Sequence, residues 1–228
     1  MLILGCDMSG NENTLAIAKD NDVLAEMSIT VKMKHLQEIL PSIDFLLKTI
    51  QKKINDIDLF IVITGPGSWT GIRIAVTMIK SMALSLNKPV VGVCSLDVLA
   101  YNYRFTDIPV YPIIDAARQQ VYYSEYNCKG SFPISISDYY LIKLDKLLDK
   151  LVEKIIIVGD GVNKYRKKII SSSNKNIIIS PENLNKITGS NIIESGLYKY
   201  HNNGASDTFK LVPNYMQESD AERKFFSK

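Results

Sequence analysis

The stretch best suited to chemistry is Gly65-Pro66-Gly67-Ser68-Trp69-Thr70-Gly71, which joins an apolar run to an apolar segment of helix length. Glycines spaced Gly65-x-Gly67-x-x-x-Gly71 between a strand and a helix can leave backbone N–H groups free to cradle a phosphate. No Lys-Ser/Thr follows them, so this is not a Walker loop, and the spacing is not the GxGxxG dinucleotide fingerprint. The plainer reading is a tight strand-to-helix turn packed against a neighbour, and the residue types favour it. Ser68 and Thr70 both suit a helix N-cap. Arg73 and Lys80 are the only charges between 71 and 87.

Metal and nucleophilic chemistry find less support. The two histidines, His35 and His201, stand 166 positions apart, so no H-x-x-x-H metal pair exists. Two-metal nuclease chemistry needs clustered carboxylates. Asp7 is available, but the apolar run ending at Ile63 leads into Thr64-Gly65 with no acid. Neither Ser68 nor Cys94 has a base apparent in the sequence. His35, near a helix start, reads as a capping or interface residue rather than a general base. We assign no catalytic residue and no metal ligand.

The elements that must hold these residues follow from periodicity. Strands are expected at Leu2–Cys6, Thr14–Ala18 and Val23–Ile29, with a hairpin turn at Lys19–Asp22. Leu36, Ile39, Leu40, Ile43, Leu46, Leu47 and Ile50 then recur at helical spacing. Pro41 either kinks that helix or marks its start. Leu59–Ile63 is short and β-branched, as in a parallel strand covered on both faces. In the next helix Ile72, Ala75, Val76, Ile79, Ala83 and Leu86 form one stripe and Ile74, Met78 and Met82 a second. A helix so apolar all round must be covered on two sides. Val90–Val93 and a helix from Ser95 to about Tyr103 close the first half.

The second half repeats that order in worn form. Strands are expected at Val110–Ile114, Val121–Tyr126, near Phe132–Ser137, at Ile155–Val158 and at Ile177–Ile179. Helices are expected at Leu141–Leu151, Lys164–Ile170 and Asn183–Tyr200. Two β-β-β-α-β-α-β lobes, residues 1–105 and 106–228, imply an α/β fold of the ribonuclease-H-like duplication seen in actin-like ATPases. In such folds Asp7 with Ser9, and Asp115 in the other lobe, stand where phosphate loops lie, and Gly159-Asp160-Gly161 lies where adenosine is approached. Asp and Gly are also the ordinary residues of turns, so a vestigial nucleotide cleft is the less favoured reading.

Composition narrows the class. The chain has 228 residues, 27 basic and 24 acidic, for a net charge of +3, which is no nucleic-acid footprint. The basic run Lys164–Lys168 reads as a solvated helix face. Cys6, Cys94 and Cys128 are odd in number and widely spaced, as expected for buried cytosolic thiols. The apolar start is too short for a signal peptide and no segment approaches a membrane span, so a cytoplasmic protein is expected.

Several segments together resemble one family. Gly65 to Arg73, reading GPGSWTGIR, is similar to the GPGSFTGLR signature of the bacterial TsaB (YeaZ) proteins. Asp7-Met8-Ser9 resembles the family's D-T-S opening, and His35–Pro41 its H-S-x-x-L-L-P. Asp115–Tyr122 resembles D-A-R-R-x-x-V-Y, and Pro213–Met216 the terminal P-x-Y-L. The departures are Met8 for Thr, Leu36 for Ser, Trp69 for Phe, Ala117 for Arg and Met216 for Leu.

The resemblance implies a non-catalytic subunit that binds a TsaD-like catalytic paralogue. With a TsaE-like ATPase, that complex installs threonylcarbamoyl on the adenosine beside the anticodon of certain tRNAs. It implies contact with tRNA only through the complex, no tightly bound cofactor, and ATP or ADP held at most weakly at a complex interface. The expected partner surface is His35, Leu36, Ile39, Leu40, Ile43 and Leu47 from the first helix and Ile74, Met78 and Met82 from the second. Through the same face the chain is expected to form a homodimer when alone. The competing reading is an autonomous small actin-fold phosphotransferase that uses ATP in the cleft between its lobes.

Overall fold

The computed structural model describes residues 1–30, 38–172 and 176–214. His35, Leu36, Tyr215 and Met216 lie outside them. The first sheet is built from β1 (Leu2–Asp7), β2 (Glu12–Lys19), β3 (Asp22–Thr30), β4 (Leu59–Gly65) and β5 (Val90–Cys94), in the order β3-β2-β1-β4-β5. The first three strands pair antiparallel, whereas β4 and β5 join β1 in parallel. One face carries α1 (Ile39–Thr49) and α2 (Trp69–Leu86). The other carries α6 (Gly189–Asn203), with Val98 of α3 (Ser95–Ala100) joining the same core. Cover on both faces is why β1 and β4 read as unbroken apolar runs.

Pro41 sits in the first turn of α1, where a missing N–H breaks no internal hydrogen bond, so it marks the start of the helix and does not kink it. Ser68 caps α2, its Oγ accepting from Gly71 N–H at 3.3 Å, while Thr70 lies inside the helix. Asn87 ends α2 in the left-handed conformation.

The second sheet repeats the order. Its main path is β10-β7-β6-β11-β12, made of β6 (Val110–Asp115), β7 (Gln120–Tyr123), β10 (Tyr140–Lys143), β11 (Ile155–Val158) and β12 (Ile177–Ile179). Strands β6, β7 and β10 pair antiparallel, and β11 and β12 extend the sheet in parallel. Two short strands, β8 (Tyr126–Asn127) and β9 (Ile134–Ser135), lie off this path. The outer face packs on α4 (Leu144–Lys150) and α5 (Asp160–Ser171); α3 covers the inner face. The layers therefore run α1 and α2, first sheet, α6 and α3, second sheet, α4 and α5.

Several expected bounds need correction: α5 begins at Asp160 rather than Lys164, and Val121–Tyr126 is not one strand but β7 followed by β8. The third main strand of the second sheet is Tyr140–Lys143, not Phe132–Ser137; the latter contributes only the two residues of β9, against β8. The helix expected from Leu141 begins at Leu144, because Tyr140–Lys143 pairs with β7. The last helix begins at Gly189 rather than Asn183, since Thr188 provides the cap, its side chain accepting from Asn191 N–H.

Candidate functional site

The glycine turn is a close backbone contact. Gly65 and Gly67 have φ of +113° and +153°, where side chains are strained. A Cβ on Gly67 would stand 2.3 Å from the carbonyl oxygen of Ser9, and one on Gly71 1.9 Å from that of Met8. Ser68 N–H donates to Ser9 O at 2.6 Å and Ile72 N–H to Ser68 O at 2.9 Å. The N–H groups of Ser68, Gly71 and Ile72 are thus engaged by the chain itself. Arg73 lies over the Trp69 ring, 4.5 Å from its centroid.

Asp7 and Asp115 end the first strands of the two sheets and make matching turns. Asp7 Oδ1 accepts from Ser9 N–H at 2.7 Å, and Asp115 Oδ1 from Ala117 N–H at 3.2 Å. Their surroundings differ. Asp7 is buried, and burial pushes its carboxyl up to about 6; the hydrogen bonds from Ser9 oppose this and the nearby Asp160 adds to it. Asp115 also accepts from Tyr165 Oη at 2.6 Å and is paired with Lys164. Asp160, on the first turn of α5, is likewise raised to about 6, mainly by burial, while its Oδ1 accepts from Asp115 N–H at 3.0 Å. The structure thus gathers Asp7, Asp115 and the Gly159–Gly161 turn at the cleft between the sheets.

Sequence reasoning missed Asn185. It is buried, and its Oδ1 accepts from Gly159 N–H at 3.0 Å while Nδ2 donates to Asn163 Oδ1 at 2.7 Å. No local signal marks it, because it lies in a segment read as helix. Gly159 has φ +117° and its Cβ would meet Ile113 O at 2.4 Å, so this turn too is a close backbone contact.

Among the described residues no group of three His, Cys, Asp or Glu side chains is placed to hold a metal ion. All three cysteines are free and buried, and burial raises the Cys6 and Cys94 thiols, Cys94 to about 12, which disfavours a thiolate. The basic run of α5 is only partly solvated: Lys164 pairs with Asp115, and Lys168 with Asp145 at 2.8 Å.

The expected partner surface divides. Ile39, Ile43 and Leu47 face the core with Leu46, because their three- and four-residue spacing puts them on one stripe that the sheet covers. They do not form part of an outer face. Leu40 and Phe45 are more than half exposed, about 140° apart around α1 at 100° per residue. On α2, Ile74, Met78 and Met82 are half-buried at the edge of the same core. No helix among the described residues is long and apolar enough to cross a membrane.

A repeated sheet order with an aspartate turn after each first strand defines an actin-like, ribonuclease-H-like α/β protein. YeaZ from Pseudomonas aeruginosa has this fold, with a TM-score of 0.76 at 18% identity over 94% of this chain and 99% of that one. The tRNA threonylcarbamoyladenosine biosynthesis protein TsaB of Bacillus subtilis (strain 168) is 30% identical over 99% of this chain and 98% of its own length. The chain belongs to the TsaB (YeaZ) family. A second TsaB protein, from Buchnera aphidicola subsp. Schizaphis graminum (strain Sg), is 31% identical over 78% of this chain and 91% of its own. The wider family model of TsaD, tRNA N6-adenosine threonylcarbamoyltransferase, matches residues 23–224.

Proposed function

We propose that this chain is a non-catalytic scaffold and dimerisation subunit for the threonylcarbamoylation of the adenosine next to the anticodon in tRNA. It binds a TsaD-like catalytic paralogue, works with a TsaE-like ATPase, and meets tRNA only through the complex, in the cytoplasm. The observation that carries this reading is the apolar outer side of the first lobe: Ile74, Met78 and Met82 half-buried on α2, with Leu40 and Phe45 exposed on α1 of the same sheet face. Methionine suits a surface that repacks against a partner, and apolar patches of this kind mark interaction sites. The names of the TsaB relatives support the pathway.

In this reading residues 1–105 supply the partner helices and the second sheet with its helices forms the degenerate lobe; the division expected at residue 106 does not hold to the C-terminal end, because α6 and Leu211 pack on the first sheet. The cleft argues against an autonomous phosphotransferase. Chain atoms take up the N–H groups of Ser68 and Gly71 in the glycine turn, and Lys164 and Tyr165 engage Asp115. ATP or ADP then binds at most weakly, at a complex interface.

The test is co-purification of the chain with the TsaD-like paralogue from the same source, alongside steady-state ATP turnover by the chain alone. A stable heterodimer and negligible turnover support the proposal. ATP turnover by the isolated chain that Asp7→Ala abolishes would establish the phosphotransferase instead.

A further inference from the structure

We propose that residues 205–214 form a strap that fixes the rotation and axial position of α2, and through it the face that meets the partner. The inference rests on the partner reading above.

After α6 the chain turns at Gly204 and crosses the free edge of β5. Ser206 N–H donates to Val90 O at 2.8 Å, and Ser206 Oγ accepts from Gly92 N–H at 3.2 Å. Leu211 then drops into the core beneath α1 and α2, where it is 8% exposed. It fills the space a Cβ on Gly92 would need, its Cδ1 standing 2.6 Å from that position. Lys80 of α2 donates its ammonium to the carbonyl oxygens of Phe209 and Leu211, at 3.0 and 3.2 Å. Finally Asn214 N–H donates to Thr64 O at 2.7 Å, just before the glycine turn. The strap therefore holds the β4–turn–α2 unit at two points, before the turn and in mid-helix.

The glycine turn clamps the first turn of α2 against Met8 and Ser9, and these grips add a hold further along the helix. Helix α2 meets the sheet through Ile72, Ala75, Val76, Ile79 and Ala83. Apolar burial is non-directional, so it fixes depth better than rotation. The two hydrogen bonds of Lys80 are directional. At about 100° per residue, Lys80 lies on the flank of α2 opposite Met78 and Met82, each two residues away. A grip on that flank sets how far the methionines project, and a preorganised surface binds more tightly than one ordered on contact.

The experiment compares the full-length chain with Lys80→Met, Lys80→Arg and Leu211→Ala. Amide hydrogen exchange is followed over residues 74–84, and affinity for the TsaD-like paralogue is measured well below each melting temperature. Lys80→Met and Leu211→Ala are expected to speed exchange in α2 about tenfold and to weaken the heterodimer about tenfold. Lys80→Arg should restore most of both. Exchange and affinity within twofold of the parent for Lys80→Met and Leu211→Ala would overturn the strap. Faster exchange with unchanged affinity overturns its link to the partner face. If the parent chain does not bind the paralogue at all, the partner reading falls, and exchange alone decides whether the strap positions α2.

Discussion

After β1 the chain turns through Asp7-Met8-Ser9 directly beneath the glycine turn. After β6 it turns through Ala117, Arg118 and Gln119 in three successive left-handed residues, with φ of 59°, 50° and 60°. The strand order around the two turns is the same, but the first is held against the backbone of the glycine turn, whereas the second closes on its own backbone, Ala116 N–H to Gln120 O and Gln120 N–H to Ala117 O, and is joined by side chains reaching from α5. Left-handed geometry costs a non-glycine residue about 1 kcal/mol or more, and the second turn is held by its own backbone bonds with Tyr165 and Lys164 on Asp115 beside them. Two lobes of one topology thus differ in what a substitution can disturb. The first lobe offers no room at Gly67 or Gly71; in the second lobe the comparably close contact is confined to Gly159 against Ile113 O, and Gly161 has more space.

The largest expected effect tests that contrast. Gly71→Ala places a methyl group against Met8 O, and with backbone on both sides nothing gives way, so a loss of roughly 3 kcal/mol or more is expected. Gly161→Ala in the second lobe meets Ile113 O at 3.0 Å and should cost clearly less. Denaturant midpoints measure both, and equal losses would remove the distinction.

Next comes the buried carboxylate. Unfolded, Asp7 titrates near the ordinary aspartate value of about 3.9; folded, it titrates at about 6. Between these values the folded chain binds more protons, so this group favours folding most at low pH, and that contribution falls as pH rises through 6. Asp7→Asn keeps an oxygen for Ser9 N–H and removes the charge. It should raise stability at pH 7.5 by roughly 1–3 kcal/mol and flatten the slope between pH 4 and 6, leaving the share owed to Asp160. A variant less stable at pH 7.5, with an unchanged slope, would mean that the Asp7 charge is favourable where it stands.

The smallest effect belongs to the second lobe. Lys164→Met removes a half-exposed ion pair from Asp115 and should change stability by less than about 1 kcal/mol. A loss as large as that of Gly71→Ala would show the second turn to be as rigid as the first.

The first lobe was legible almost strand for strand, because alternation, the hairpin turn and the glycine turn are local signals that agree with the final fold. The doubled sheet order followed from it. In the second lobe the four residues of Tyr140–Lys143 are too short for periodicity to separate from the helix that follows. Asn185 and the strap were invisible for another reason. Asn185 acts on Gly159, and Lys80 on Phe209 and Leu211, through pairings distant in sequence that no spacing reveals. The outer apolar stripe of α2 could be read, since two stripes on one helix demand two covers. The spacing of Ile39, Ile43 and Leu47 shows that they share a stripe, but not whether the sheet or a partner covers it.

The central claim, that the outer side of α2 serves a catalytic partner, is tested most directly by Met78→Asp in a reconstituted tRNA threonylcarbamoylation assay with the TsaD-like and TsaE-like proteins. We predict that the variant melts within a few degrees of the parent, binds no paralogue, and leaves tRNA as unmodified as omission of the chain does. A folded Met78→Asp chain that supports modification at the parent's rate would contradict the account.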